Sequence, residues 1–308
     1  MKGVFTQSAA AKNLRSLAFA RDDNRLSSEF VFLKQSGVRF WIKRELLEKL
    51  TVETFLEADS LFNRADCKII KDQKKIKVGR LVLEVAGKST AVFLKKYNAF
   101  SWRYRLLSPF SASGAYRSLR GAAILAGAQI QTGTPLAAVE WRRWGMLERS
   151  IFLSQEIESA KTADAHWLET LAPLEGGYGV IRRRGFLVSL AQLLRELHAR
   201  AIYHNDLKDA NVLVRADPDG KEYFFLLDLE GVRQCVCLSN RRRIKNLVQL
   251  NRTLGRLLSR TQKLALLTHY LGERANDKKV LGWWISRLRR ATLNADQRSF
   301  AKRSGATA

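Results

Sequence analysis

Residues 203–214 read YHNDLKDANVLV, and within them His204, Asp206, Lys208 and Asn211 stand at close, fixed spacing just ahead of an apolar run. A carboxylate such as Asp206 can orient and deprotonate an acceptor hydroxyl. Lys208, two residues on, can reach a transferring phosphate, and the amide oxygen of Asn211 can ligate a hard cation. A second carboxylate, Asp228, ends the apolar stretch YFFLLD, where it can meet the same cation. This is the short inventory that phosphoryl transfer requires: a base, oxygen ligands for magnesium and a cation near the phosphate. Asp and Asn ahead of a strand are also ordinary turn residues. The four spaced residues, the amphipathic helix before them and the answering Asp228 favour the chemical reading.

The neighbouring sequence supplies elements to hold these residues. FLVSLAQLLRELHARA places Leu187, Leu190, Ala191, Leu194 and Leu197 on one helical face. NVLV and EYFFLLDLE read as strands joined by the turn ADPDG. Upstream, FVFLKQSGVRFWIK predicts two strands about a glycine turn. RELLEKLTVETFLEADSLF has helical spacing, with Leu46, Leu47, Leu50, Phe55 and Leu61 as its buried positions. CKIIK, KVGRLVLEVAG and TAVFLKKY predict an antiparallel meander ending near Tyr97. SGAYRSLRGAAILAGA predicts a helix stopped by Gly127, and PLAAVEWRRWG and RSIFLSQEI two more strands. The tail predicts two or three helices with basic outer faces.

The 308 residues are 46% hydrophobic and carry a formal charge of +25. That is a globular chain with a strong positive field, which calls for an anionic partner: a phosphorylated substrate, an anionic membrane face or nucleic acid. Cys67, Cys235 and Cys237 have neither zinc nor disulfide-framework spacing and read as reduced thiols. His166, His198 and His269 show no metal-ligand spacing. The first residues lack the apolar core of a secretory signal, and no run approaches the 18 apolar residues of a membrane span. A cytoplasmic protein is expected, with a peripheral membrane location left open.

HNDLKDAN resembles the protein-kinase catalytic loop H-R-D-L-x-x-x-N, and LLDLEG stands where D-F-G would. Lys95, closing VFLK, sits where V-A-I-K places the nucleotide lysine. Within that superfamily the chain most resembles the lipopolysaccharide core kinases, the Kdo and heptose kinases, over roughly residues 65 to 275. AVFLKKY, SGAYRSLRGAAILAGAQIQTGTPLA and the late NLVQLNRTL…LTHYL helices carry that likeness. The resemblance implies an α+β, bilobal kinase-like fold. Its N-lobe is an antiparallel sheet plus a helix, and its C-lobe is mostly helical. Residues 1–28 are then a flexible N-terminus, 29–157 the N-lobe and 158–308 the C-lobe. It implies Asp206 and Lys208 as catalytic. Lys95, Glu156, Asn211 and Asp228 would bind ATP, and Asn211 and Asp228 would hold Mg2+. Glu156 falls at the hinge, where the neighbouring backbone would meet adenine. The implied acceptor is the core glycolipid, with an anionic membrane surface as second partner; nucleic acid is disfavoured. His204 is implied to be structural.

Four departures stand out. Asn205 replaces the arginine that grips a phosphorylated activation loop. Glu230 stands at the D-F-G glycine. No acid occurs between Lys95 and Ala138, so the usual helix glutamate is missing and Glu140 is the first candidate partner for Lys95. Only Gly79 remains of a glycine loop. Lys74 and Lys75 either cover the phosphates instead or form a solvated turn. Strand alternation sends Lys96 to the face opposite Lys95. The short LEGVRQCVCLSN after Asp228 leaves little room for a peptide platform, which disfavours the rival of a kinase with a protein acceptor. A second rival is a catalytically weak basic scaffold for nucleic acid or membrane. The missing glutamate and glycine loop support it, and the intact Asp206, Lys208, Asn211 and Asp228 oppose it.

Overall fold

A computed structural model describes Leu26 and residues 29–35, 37–46, 59–85, 87–99 and 101–304. Seven strands form one antiparallel sheet: β1 Phe30–Gln35, β2 Val38–Lys43, β3 Lys68–Asp72, β4 Ile76–Val85, β5 Lys88–Asn98, β6 Pro135–Arg143 and β7 Met146–Gln155. Their order across the sheet is β1-β2-β6-β7-β5-β4-β3. The predicted β3–β4–β5 meander and β6–β7 hairpin are present. The β1–β2 pair, joined through Gly37 at φ +81°, extends the sheet on the far side of β6. β6 is buried along nearly its whole length, which explains why PLAAVEW lacks a two-residue alternation: both of its faces are covered. β3 is exposed at every position, and its Lys68 and Lys71 guard an edge against strand addition.

One face of the sheet packs Phe40, Ile42, Leu81, Leu94, Val139 and Leu153 against Leu46, Leu61 and Phe62. Leu46 and Leu61 belong to the 3-10 turns Arg44–Leu46 and Ser60–Asn63. These are the two ends of the predicted 44–62 helix; Leu47, Leu50 and Phe55 lie outside the described residues. Of residues 1–28 only Leu26 is described, and it is buried in the main core. The other sheet face carries Trp41, Tyr97, Ala138 and Phe152 into that same core, which continues through the helices.

Between β5 and β6 run α1 Trp102–Leu107, a 3-10 turn Ser108–Phe110, and α2 Gly114–Gly127. Gly127 is the last residue of α2 and not its stop. The left-handed conformation that ends the helix belongs to Gln129, at φ 54°. After β7 come the two-residue strand β8 Lys161–Thr162, the turns Ala163–His166 and Trp167–Leu171, and the long helix α3 Gly176–Ala199. The predicted apolar face of α3 is buried, with Leu190, Ala191, Leu194 and Leu197 fully enclosed. Then follow β9 Ile202–His204, β10 Val212–Ala216, β11 Glu222–Leu226 and β12 Val232–Gln234. Three helices close the chain: α4 Asn240–Asn251, α5 Arg260–Leu271 and α6 Lys278–Ser304. Trp284 of α6 is buried and Trp283 half-exposed. No helix among the described residues is long and apolar enough to cross a membrane.

Candidate active site

Lys95, Asp206, Lys208, Asn211 and Asp228 lie where β5, the β9–β10 loop and the end of β11 converge. Asp206 Oδ2 lies 2.8 Å from Lys208 Nζ. Asn211 donates through Nδ2 to the Asp206 carbonyl at 2.7 Å and to its carboxylate at 3.2 Å. That leaves the amide oxygen of Asn211 free of this loop. Asp228 follows β11 in the left-handed conformation, at φ 57° and ψ 54°, which carries its carboxylate back to Lys95. The two form an ion pair.

Burial alone would raise Asp228, but Lys95 outweighs it, helped by His204 and Lys208, and holds the carboxyl below its usual range. Burial likewise opposes the Lys95 ammonium, yet Tyr97, Asp228 and Glu230 together keep it above the ordinary lysine range. Glu140 is therefore not the partner of Lys95. Its buried carboxylate accepts from Arg142 Nε at 2.9 Å and faces Arg39 at 4.0 Å. Lys96 turns to the opposite face and pairs with Asp59 at 2.6 Å.

α2 takes the place where the missing glutamate was sought, and its charge is inverted. Arg117 of the helix stands 3.8 Å from Glu230, on the segment after Asp228. The helix comes this close at its small buried residues Ala115, Ser118, Gly121 and Ala122, while Leu119 and Leu125 fill the core on either side. A Cβ on Gly121 would fall 2.2 Å from the Leu229 carbonyl oxygen. Ser118 donates to the Gly114 carbonyl, so its hydroxyl oxygen accepts from Tyr97 Oη at 2.8 Å. Burial pushes the Tyr97 phenol up to about 12. Lys95 Nζ lies 5.1 Å from that ring's centre.

The β3–β4 turn closes through reciprocal bonds between Gln73 and Ile76. Asn98, at the end of β5, bonds the carbonyls of Lys74 and Lys75, both of which are exposed. The turn thus overhangs the strand that carries Lys95. Gly79 is not part of it. It lies within β4, where a Cβ would meet Cys67 Sγ at 2.9 Å and Phe62 at 3.2 Å, so packing explains this glycine. Glu156 follows β7; its carboxylate accepts from Arg80 Nε on both oxygens at 3.0 Å and from Nη2 at 2.6 Å, and its amide donates to the Ala91 carbonyl.

The support behind the loop was not visible in the sequence. His204 Nδ1 accepts from the Asp206 amide at 3.3 Å, so Nε2 carries the proton and donates to the Leu227 carbonyl at 2.8 Å. This ties the loop to the residue before Asp228, in keeping with a structural His204. From α4, Asn246 donates to the His204 carbonyl and Gln249 Nε2 donates to the Asn205 carbonyl. Thr253, just beyond α4, receives the Asp209 amide at 3.2 Å. Asn246 Oδ1 then accepts from His198 Nε2 at 3.2 Å, and His198 Nδ1 accepts from Tyr270 Oη at 2.9 Å. Two further carboxylates were missed. Asp209 is raised by burial and by nearby Asp164, and Asp164 Oδ1 is buried with no hydrogen-bond partner.

Burial lowers His198 to about 4, below its reference value of 6.5. The unfolded chain therefore binds this proton first as the pH falls. The stability gained from a neutral ring is whole above pH 6.5 and drains away towards pH 4. It amounts to about 3 kcal/mol, and His204, also pushed down by burial, acts in the same direction. Thermal unfolding followed from neutral pH to pH 4 is expected to show this slope, and His198→Gln should flatten it. A variant whose Tm falls in parallel with wild type would refute the assignment.

An N-terminal antiparallel sheet, one helix packed beneath it and a helical C-terminal region define a kinase-like fold. WaaP in complex with acyl carrier protein, a solved structure, aligns at a TM-score of 0.53 and 18% identity, over 78% of this chain and 96% of that chain. This likeness gives the fold. A comparison with curated protein sequences found no match. The model of the Lipopolysaccharide kinase (Kdo/WaaP) family matches residues 72–270, which span Lys95 and every other candidate site residue. The chain belongs to that family and is a kinase of lipopolysaccharide.

Proposed function

We propose that this kinase transfers the γ-phosphoryl group of ATP to a hydroxyl of Kdo or heptose in the lipopolysaccharide inner core, at the cytosolic face of the inner membrane. Residues 29–157 act as the N-lobe and the rest, from 158, as the C-lobe, with ATP between them. The observation that carries the reading is Asp206, held by Lys208 and Asn211 beside the Lys95–Asp228 pair. The donor set suits magnesium. Asn211 Oδ1 and the Asp228 carboxylate are hard oxygen ligands. No group of three or more His, Cys, Asp or Glu that could hold a metal by itself occurs among the described residues. Magnesium commonly takes only one or two protein carboxylates and completes its shell with phosphates and water. When bound, the ion supplies positive charge to the phosphate oxygens.

Asp206 accepts the proton of the acceptor hydroxyl. As that oxygen bonds to the γ-phosphorus, the bond from phosphorus to the β–γ bridging oxygen breaks and ADP leaves. Lys208 faces the charge on the transferring group. Lys95 passes from Asp228 to the phosphates of the nucleotide. The β3–β4 turn, with Lys74 and Lys75, lies over them, and the backbone beside Glu156 meets adenine. The test is label transfer from γ-labelled ATP, with magnesium, to under-phosphorylated core glycolipid. Label in the sugar supports the reading. Nucleotide binding without transfer to any core acceptor would refute it.

A further inference from the structure

Between β5 and α2 the chain detours through α1 and the turn Ser108–Phe110, and the detour is apolar on its outside. Trp102, Leu106 and Leu107 are more than half exposed and Phe110 is 93% exposed. Beside it, in the β6–β7 turn, Trp144 is 82% exposed. The two segments are fastened together. Buried Ser108 accepts the Leu147 amide on its hydroxyl oxygen at 2.7 Å. Arg142 Nη1 donates to the carbonyls of Ser108 and Gly145, each at 3.1 Å. The two segments that carry these five large side chains are thus held as one piece. Single exposed apolar residues are commonplace, but a fixed group of them marks an interaction surface.

Basic residues outnumber acids around it, with Glu148 the acid paired to Arg105. No Asp or Glu occurs from Lys95 to Val139. Glu140, the next acid, is buried against Arg142. Arg143 lies over the Trp144 ring, 4.7 Å from its centre, and Arg105 pairs with Glu148 at 3.3 Å. Tryptophan, leucine and phenylalanine set among arginines suit the interface of an anionic bilayer: the rings and alkyl groups enter the headgroup boundary and the guanidinium groups meet lipid phosphates.

We infer that the platform formed by Trp102, Leu106, Leu107, Phe110 and Trp144 docks the protein on an anionic lipid surface. Through Asn98 it shares the end of the sheet that bears the β3–β4 turn, so docking turns that end of the cleft towards the lipid. This last step rests on the glycolipid acceptor proposed above; the docking itself does not.

The experiment uses the full chain and vesicles of phosphatidylethanolamine with phosphatidylglycerol, without acceptor. Wild type should bind in a salt-sensitive manner, and brominated acyl chains should quench its tryptophan fluorescence. The Leu107→Asp/Phe110→Asp double variant should bind at least about tenfold more weakly. It should keep its circular dichroism and its transfer to detergent-dispersed acceptor. Trp283→Asp with Phe300→Asp, on the exposed side of α6, should leave vesicle binding intact. Failure of wild type to bind, equal binding by the platform variant, or loss only in the α6 variant would overturn the inference. So would platform-dependent binding to an acidic protein in place of vesicles. Vesicle binding with no transfer to glycolipid would leave the docking surface standing and overturn the acceptor alone.

Discussion

Asp206→Asn should lower kcat for phosphoryl transfer by about a thousandfold, within the range expected for removing a general base, while ATP affinity is unchanged. The asparagine fits the same space and can still accept from Asn211 Nδ2, so the loop keeps its shape. It loses the ability to take a proton, and Lys208 loses the negative charge that faces it at 2.8 Å. The Asp206 side chain is 44% exposed, so folding should not suffer. Pre-steady-state transfer with labelled ATP, beside equilibrium nucleotide binding, separates the two effects. A variant that turns over at the wild-type rate would remove Asp206 from the mechanism. One that has lost nucleotide affinity would make it a binding residue.

Gly121→Val acts at a distance from any substrate and should still be severe. The Cβ alone would lie 2.2 Å from the Leu229 oxygen and 3.0 Å from its carbonyl carbon. The obstacle is backbone, so it cannot swing aside as a side chain would. Overpacking of this kind costs about 1–3 kcal/mol, or roughly 2–5 °C in Tm for a chain of 308 residues. Leu229 follows Asp228, whose left-handed backbone aims its carboxylate, so kcat should fall along with stability. Gly185→Ala is the control. Nothing lies within 4 Å of its Cβ position in α3, and removing a helical glycine should stabilise by up to about 1 kcal/mol. Wild-type Tm and kcat in Gly121→Val would mean that α2 and Leu229 do not touch in solution.

What could be read from the sequence was local. The spacing of Leu187, Leu190, Leu194 and Leu197 specified a buried helix face, and alternation along VFLKK correctly parted Lys95 from Lys96. The reactive loop was legible because its chemistry is concentrated in a few consecutive residues. What escaped depends on contacts between distant segments. Asn246 and Gln249 look like solvent-facing positions of a basic helix, and nothing near them reveals that they meet the carbonyls of His204 and Asn205. The detour through α1 has no amphipathic signal, because its apolar residues face outwards. Glu140 was a reasonable partner for Lys95 by proximity in sequence, but Arg142, two residues along the same strand, claims it. Gly127 has the conformational freedom of a stop, yet Gln129 adopts the left-handed turn.

The join between α2 and the segment after Asp228 has a consequence for control. Glycine against carbonyl, arginine against glutamate and the tyrosine–serine hydrogen bond fasten the helix at three points, to Leu229, Glu230 and β5. Switching by helix displacement needs a second stable position that an effector can favour. Here the helix cannot swing out without dragging Leu229 and Glu230, the neighbours of Asp228, with it. A helix held this way has no hinge of its own, and an effector that moved it would have to part all three contacts at once.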